Sequence, residues 1–294
     1  MASKDGRALG VIGGSGLYDI AGLTDTRWQR VESPFGETSD EFLFGELAGR
    51  SVVFCPRHGR GHRIPPSDIN FRANIDALKR AGCSEIISVS AVGSLREDLT
   101  PGTFVLVDQF IDRTFAREKS FFGKGMVAHV SMAHPVCARL GNALEAAAMA
   151  EGIPVARGGT YIAMEGPQFS SLAESRLYRS WGADVIGMTN MPEAKLAREA
   201  ELCYASVAMV TDYDCWHPDH DSVTVDAILS VLFANADKAR ALVARVAPAI
   251  SPGIRSCPEG CHAALEHALI TAPEARDPEV LKTLDVIAGR VLKS

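Results

Sequence analysis

Apolar residues along the chain fall into short β-like runs that alternate with amphipathic stretches of helical period. Leu9 to Ile12 is an apolar run that ends in Gly13-Gly14-Ser15-Gly16, which predicts a strand feeding a glycine loop. Residues 41–47 and 51–55 read as a strand pair. Between Asn70 and Ala81, Phe71, Ile75 and Leu78 recur at helical spacing, and Gly82 is the expected stop. Two β-rich runs follow at 85–91 and 103–107. Helices expected at 136–151, 171–182 and 192–202 then alternate with strands at 159–164, 183–188 and 203–210. The strongest helix is 225–247, where Val225, Ile228, Leu229, Leu232, Ala236, Leu242 and Val246 share one stripe. Residues 111–135 show no period and exceed an ordinary connection, which points to a functional loop or a subunit contact. This alternation predicts an α/β fold around a mixed sheet, with ligands beyond the carboxyl ends of the strands.

Composition narrows the classes. The chain has 294 residues, 47% of them hydrophobic and 22% charged, which excludes disorder and fibrous repeats. No repeat or flexible linker interrupts it, so one domain is expected over 1–294, with 245–294 as an extension of packed helices. Thirty basic against 36 acidic residues leave a net charge of −6, which argues against nucleic acid or an anionic membrane as partner. The N-terminal residues lack the apolar core of a signal peptide, and no run of about 18 apolar residues exists. Seven scattered cysteines suit a reducing cytoplasm and free thiols.

Four strand-end loops carry candidate chemistry. Gly13 to Gly16 offers backbone amides and the Ser15 hydroxyl to an anion, or is a plain tight turn. Its spacing fits neither a dinucleotide fingerprint, because Asp19 stands where a third glycine is needed, nor a Walker loop. In 56–63, three arginines and two histidines crowd into eight residues. Arg60 and Arg63 fit a solvated turn, whereas Arg57 and His58 directly follow an apolar strand and suit an anion. Ser90 and the amides after it, Ala91 included, end a buried run in small residues. Thr211-Asp212-Tyr213-Asp214 sets two carboxylates at i and i+2, and crowding predicts that one of them holds a proton to higher pH, as a general acid requires. An Asp-rich turn or a cation site is the blander reading, and His217 and His220 complete no tetrahedral set.

Seven collinear motifs extend these loops: G-G-S-G-L from Gly13, P-R-H-G-R from Pro56, Ser94 to Glu97, D-Q-F-I-D-R-T from Asp108, E-G-P-Q-F-S-S from Glu165, M-T-N-M-P-E from Met188, and T-D-Y-D-C-W from Thr211. Together they resemble the methylthioadenosine phosphorylases of the trimeric purine nucleoside phosphorylase family, over roughly Leu9 to Leu242. The resemblance implies a mixed central sheet with a distorted barrel flanked by helices, a homotrimer, and phosphorolysis of a methylthio-nucleoside without metal or cofactor, phosphate being a co-substrate. It assigns Ser15, Arg57, His58, Ser90, Ala91 and Thr189 to phosphate, Met188 to the ribose, and Phe169 to base stacking. Asp212 is matched to purine N7 and Asp214 to the 6-amino group. Ser170 and Val225 fall at specificity positions, and His129 matches a residue lent across the trimer interface.

A 6-amino purine donates to a carboxylate where a 6-oxopurine would not, so the pair favours adenine. Gln168 replaces an arginine of the family, and Gly187 and Asn190 depart from many adenine-cleaving members, which keeps a 6-oxopurine substrate as the alternative. Past Leu242 the resemblance stops. Cys257 and Cys261, with three residues between them, match neither a zinc knuckle nor a redox motif and read as free thiols before a helix at 262–270, a disulfide or redox role being the alternative. Cys203 reads as a small core residue.

Overall fold

The computed structural model describes residues 8–14, 16–217, 225–250 and 257–292. Strand β1 (Ala8–Gly13) is followed by β2 (Leu23–Gln29), β3 (Phe42–Leu47) and β4 (Arg50–Pro56). Helix α1 (Phe71–Arg80) leads to the long β5 (Cys83–Ser94), then β6 (Phe104–Val107) and β7 (Gln109–Asp112). After α2 (Ala138–Ala150) come β8 (Val155–Arg157), β9 (Thr160–Ala163), α3 (Leu172–Ser180), β10 (Val185–Gly187), α4 (Asn190–Glu199), β11 (Cys203–Asp212) and α5 (Val225–Ala249). Short helices α6 (Pro278–Thr283) and α7 (Gly289–Leu292) complete the described chain.

All eleven strands belong to one mixed sheet, ordered β2-β3-β4-β1-β5-β10-β9-β7, with a branch from β5 through β11 and β6 to β8. Among the described residues no pairing joins the two arms, so the expected distorted barrel is an open, branched sheet flanked by helices. Strand β1 runs parallel to both β4 and β5, and β5 runs parallel to β11. Four strands therefore point their carboxyl ends the same way.

Period two explains why the sheet is covered on both faces. In β4, Val53 and Cys55 enter the core beside α1 and α4, while Val52 and Phe54 enter the core beside α2 and α5. The expected α1 forms as its spacing predicts. Asn70 caps it by accepting from Ala73 N–H at 3.0 Å, and Lys79 and Arg80 sit in its last turn. Phe71, Ile75 and Leu78 are all buried, each contributing about 1.5–3 kcal/mol of transfer free energy. Gly82, at φ +88°, ends the helix in a conformation a side chain would strain. Ser171 and Glu174 close a capping box at the start of α3.

The helix expected at 262–270 does not form. A 3₁₀ turn at Cys261–Ala263 gives way to further turns, and Ile270 N–H then donates to Val127 O at 2.9 Å. Pairing with 127–129 satisfies that backbone instead of an intrahelical ladder. The rest of the extension packs Leu265, Leu284, Ile287 and Ala288 onto the α1 and α4 face.

Candidate active site

The parallel strands β4, β1, β5 and β11 end around a cavity of about 350 Å³. Arg57 and His58 follow β4, Gly14 follows β1, Ser90 to Gly93 come from β5, and Met209 and Asp212 come from β11. The segment after β10 adds Met188 and Thr189, and Phe169 closes one side. The sequence-assigned Arg57, His58, Ser90, Ala91, Phe169, Met188, Thr189, Asp212 and Asp214 thus meet in one space. Ser90 and Ala91 lie within β5 rather than past its end, because β5 outruns its neighbour β1 and continues against β11 as far as Gly93.

Four assigned residues are not among its lining. Ser15 lies outside the described residues, as does the side chain of Val225. Ser170 is buried just behind the wall, its hydroxyl 3.6 Å from Met164 Sδ. His129 is exposed on another part of the surface, where its N–H donates to Ala268 O at 2.8 Å. Gln168 is exposed as well.

Behind the cavity stands a buried polar wall that the sequence reading missed. Arg57 is not a free cation. Its Nε donates to Glu193 Oε2 at 2.8 Å, and its Nη2 donates to Ser88 Oγ at 2.6 Å. Tyr204 donates to Glu193 Oε1 at 2.8 Å, and Asn190 Nδ2 donates to Tyr204 Oη at 2.6 Å and Ser206 Oγ at 2.8 Å. Ser90 Oγ donates to Asn190 Oδ1 at 3.0 Å, which aims its hydroxyl. Glu193 balances the arginine, and burial beside Arg57 pushes His58 down to about 4. An anion here meets a near-neutral site rich in dipoles, including Thr189 Oγ1, which is buried without a partner. His58 Nδ1 lies 2.9 Å from Ile64 O, and its ring stacks on His62 with centroids 4.2 Å apart.

At the opposite end, Asp212 accepts from Thr211 Oγ1 at 2.7 Å and from the N–H of Asp214 at 2.8 Å. Strand alternation is not what brings the carboxylates together. The chain leaves β11 at Asp212, and Asp214 adopts φ +53° in a turn that its own N–H closes on Asp212. Asp214 is the member that holds its proton to higher pH. Burial chiefly, then the neighbouring Asp212 charge, pushes it above the usual carboxylate range, and its Oδ2 is buried without a hydrogen bond. Gly93 makes the pair possible, since a Cβ there would lie 3.1 Å from Asp212 Oδ1.

Two further features were not read from the sequence. Arg117, inside the stretch without period, is buried and donates to Glu165 Oε1 at 3.0 Å, Glu165 O at 2.6 Å, Met188 O at 2.5 Å and Met191 O at 2.7 Å. It therefore fixes the backbone that presents Met188 and Thr189. Tyr161 fills the space beside Gly187, where a Cβ would fall 2.0 Å from its hydroxyl oxygen. The M-T-N-M-P-E motif that contains Glu193 was the available signal for it; Arg117 left none. Leu232 and Ala236, on the expected stripe of α5, also line the cavity.

The profile of the Phosphorylase superfamily matches residues 8–248, which span the whole cavity. The chain belongs to this superfamily. The phosphorylase is 65% identical over 284 residues to the S-methyl-5′-thioadenosine phosphorylase of Rhodospirillum rubrum, covering 97% of each chain. The same identity holds over 285 residues with the enzyme of that name from Bradyrhizobium diazoefficiens, covering 97% and 98%. Such coverage includes residues after 245, so the extension is shared with these relatives although the motif resemblance stopped short of it. Among solved structures, a methylthioadenosine phosphorylase from an Antarctic soil metagenome superposes with a TM-score of 0.89 at 46% identity, covering 97% of this chain and 99% of that one. The Schistosoma mansoni methylthioadenosine phosphorylase in complex with adenine gives 0.81 at 36% identity, covering 88% and 98%.

Proposed function

We propose that this phosphorylase cleaves S-methyl-5′-thioadenosine with inorganic phosphate, releasing adenine and 5-methylthioribose 1-phosphate for purine and methionine salvage. The carrying observation is the spacing along β5. Ser90, at the donor-rich end, and Gly93, under the Asp212–Asp214 pair, are three residues apart, about 10 Å along a strand. That separation suits a phosphate at one end, a purine at the other and a ribose between them.

Phosphate attacks the anomeric carbon as the glycosidic bond breaks, so positive charge builds on the ribose and negative charge on the departing purine. Arg57, His58, Ser90, Ala91, Thr189 and Ser15 hold the nucleophile, which also serves as counter-charge to the ribose. Met188 covers the ribose and Phe169 stacks on the base, with Ser170 and Val225 tuning substrate preference. Asp212 meets N7 and Asp214 the 6-amino group, and this end supplies the proton for the leaving base. The transfer moves no electrons between oxidation states, so phosphate is the only co-substrate. A homotrimer in the cytoplasm completes the reading, with the exposed His129 reaching the site of a neighbouring copy.

Adenine release, followed by chromatography, is expected from methylthioadenosine only when phosphate is present. Release without phosphate, or none with it, overturns the assignment. A 6-oxopurine substrate is favoured by one observation: Asp214 is the raised carboxyl, and when protonated it would donate to O6. The same assay with methylthioinosine ranks the two, and faster cleavage of the oxopurine would reverse the preferred substrate.

A further inference from the structure

On the far side of the sheet from α1, four cysteines from three distant parts of the chain converge. Cys137 caps the N-terminus of α2, Cys203 opens β11, and Cys257 and Cys261 flank a turn in the C-terminal extension. That turn is built for the purpose of bringing its two ends together. Gly260 sits at φ +70° and donates to Cys257 O at 2.9 Å, which folds Cys261 back beside Cys257. All four side chains are buried, and their sulfurs lie within 4.8 Å of one another.

We propose that Cys137, Cys203, Cys257 and Cys261 form a structural tetrathiolate site for one divalent zinc ion, which staples the C-terminal extension to the core.

Geometry supports a metal over the free thiols expected from sequence. Zinc–sulfur bonds of about 2.3 Å in a tetrahedron place the sulfurs about 3.8 Å apart. Cys137 Sγ and Cys257 Sγ are 3.7 Å apart. All four are unbonded thiols here, and the four sulfurs form one compact group rather than two bonded pairs. So compact a set suits a single ion better than a multi-iron cluster, in which each thiolate binds a different iron.

Charge supplies a second, independent argument. Glu85 lies opposite Cys203 in the sheet and pairs with both Arg50, at 2.6 Å, and Arg139. Two arginines on one carboxylate leave a single positive charge in excess, and the Nε atoms of both arginines are buried without partners. Arg139 Nη2 points to Cys203 Sγ at 3.6 Å. Neutral thiols would leave this cation uncompensated. Binding a divalent ion to four thiols releases four protons and leaves a complex of charge −2, which Arg139 partly balances through its N–H···S contact.

The site would join parts of the chain that no disulfide connects. The segment after Cys261 goes on to pair with Val127, Ala128 and His129. Metal binding would therefore set the position of that exposed edge as well as the extension.

The test measures metal directly. Protein purified under reducing conditions without chelator is expected to carry about one zinc per chain by elemental analysis. Cobalt(II) exchanged into the site should show thiolate charge-transfer bands and tetrahedral d–d bands. Cys257→Ser and Cys261→Ser should each lose metal content by about tenfold or more, whereas Cys215→Ser, an exposed thiol outside the cluster, should retain it. If the serine variants do not fold, the wild-type chain still decides. Folded, reduced protein that neither holds zinc nor takes up zinc or cobalt overturns the proposal. So does an intact mass, under non-reducing conditions, that lacks the hydrogens lost in forming disulfides among these four residues.

Discussion

Glu193 Oε2 lies 2.8 Å from Arg57 Nε, and both side chains are almost wholly withdrawn from solvent. The arginine proposed to face phosphate is therefore already balanced by a buried carboxylate. Removing one partner of a buried pair costs about 3–5 kcal/mol, because the other charge is left alone. Glu193→Ala should lower the melting temperature sharply, and Glu193→Gln less so, since the amide keeps one acceptor. Added phosphate should raise the melting temperature of Glu193→Gln more than that of the wild type, with the anion replacing the lost counter-charge. Equal phosphate shifts in the two proteins would show that Arg57 does not face the anion.

The two carboxylates at the other end divide their roles by environment. Asp212→Asn should depress adenine release by about 10²–10⁴, the range for a positioned acid–base group, with little change in fold. Asp214 behaves differently in stability. Its folded pKa is raised, so the stability it contributes is fully present below the ordinary aspartate value and is lost as pH rises through the folded value. Asp214→Asn should therefore be more stable than wild type at neutral pH, with the difference closing below about pH 4. Its activity should fall, since the proposed partner of the 6-amino group is gone. Denaturation midpoints at several pH values test the sign.

What could be read in advance was local. The helices α1 and α5, the sheet strands with apolar runs, and the Asp212–Asp214 pair all announce themselves within a dozen residues. Strand β2 did not, because residues 24–29 are exposed and carry no apolar alternation. The wall behind the cavity was hidden for another reason. Arg57 and Glu193 are 136 positions apart, and only the sheet order, with β1 set between β4 and β5, brings them together. The same holds for the four cysteines, whose spacing in sequence resembles no metal motif. The stretch after β7 lacked a period because its anchors are irregularly spaced: Arg117 holds Glu165, Ser120 and the Phe121 N–H hold Glu199, and Phe121, Phe122 and Met126 are buried in the core.

Gly187 has a reason visible only in three dimensions. A Cβ there would fall 2.0 Å from Tyr161 Oη and 2.6 Å from its ring carbon, and Tyr161 is fully buried with no room to retreat. Gly187→Ala should cost about 1–3 kcal/mol from overpacking. Tyr161→Phe should recover part of that loss in the double variant, since the hydroxyl is the nearest obstacle. A double-mutant cycle in urea measures the coupling, and strictly additive effects would contradict the contact.

Arg117 makes the most exacting prediction, because its work depends on shape more than on charge. One planar guanidinium reaches the carboxylate of Glu165 and the carbonyls of Glu165, Met188 and Met191 at once. A lysine ammonium is a point charge with three donors and cannot span that set. Arg117→Met leaves Glu165 without its arginine and the carbonyls without donors, which should cost about 3–5 kcal/mol. Arg117→Lys should restore less than half of that stability. In both variants KM for the nucleoside should rise, because Met188 and Thr189 lose the support of the backbone they stand on. A lysine variant that melts and turns over like wild type would show that charge alone suffices, and that the segment holding Met188 is set elsewhere.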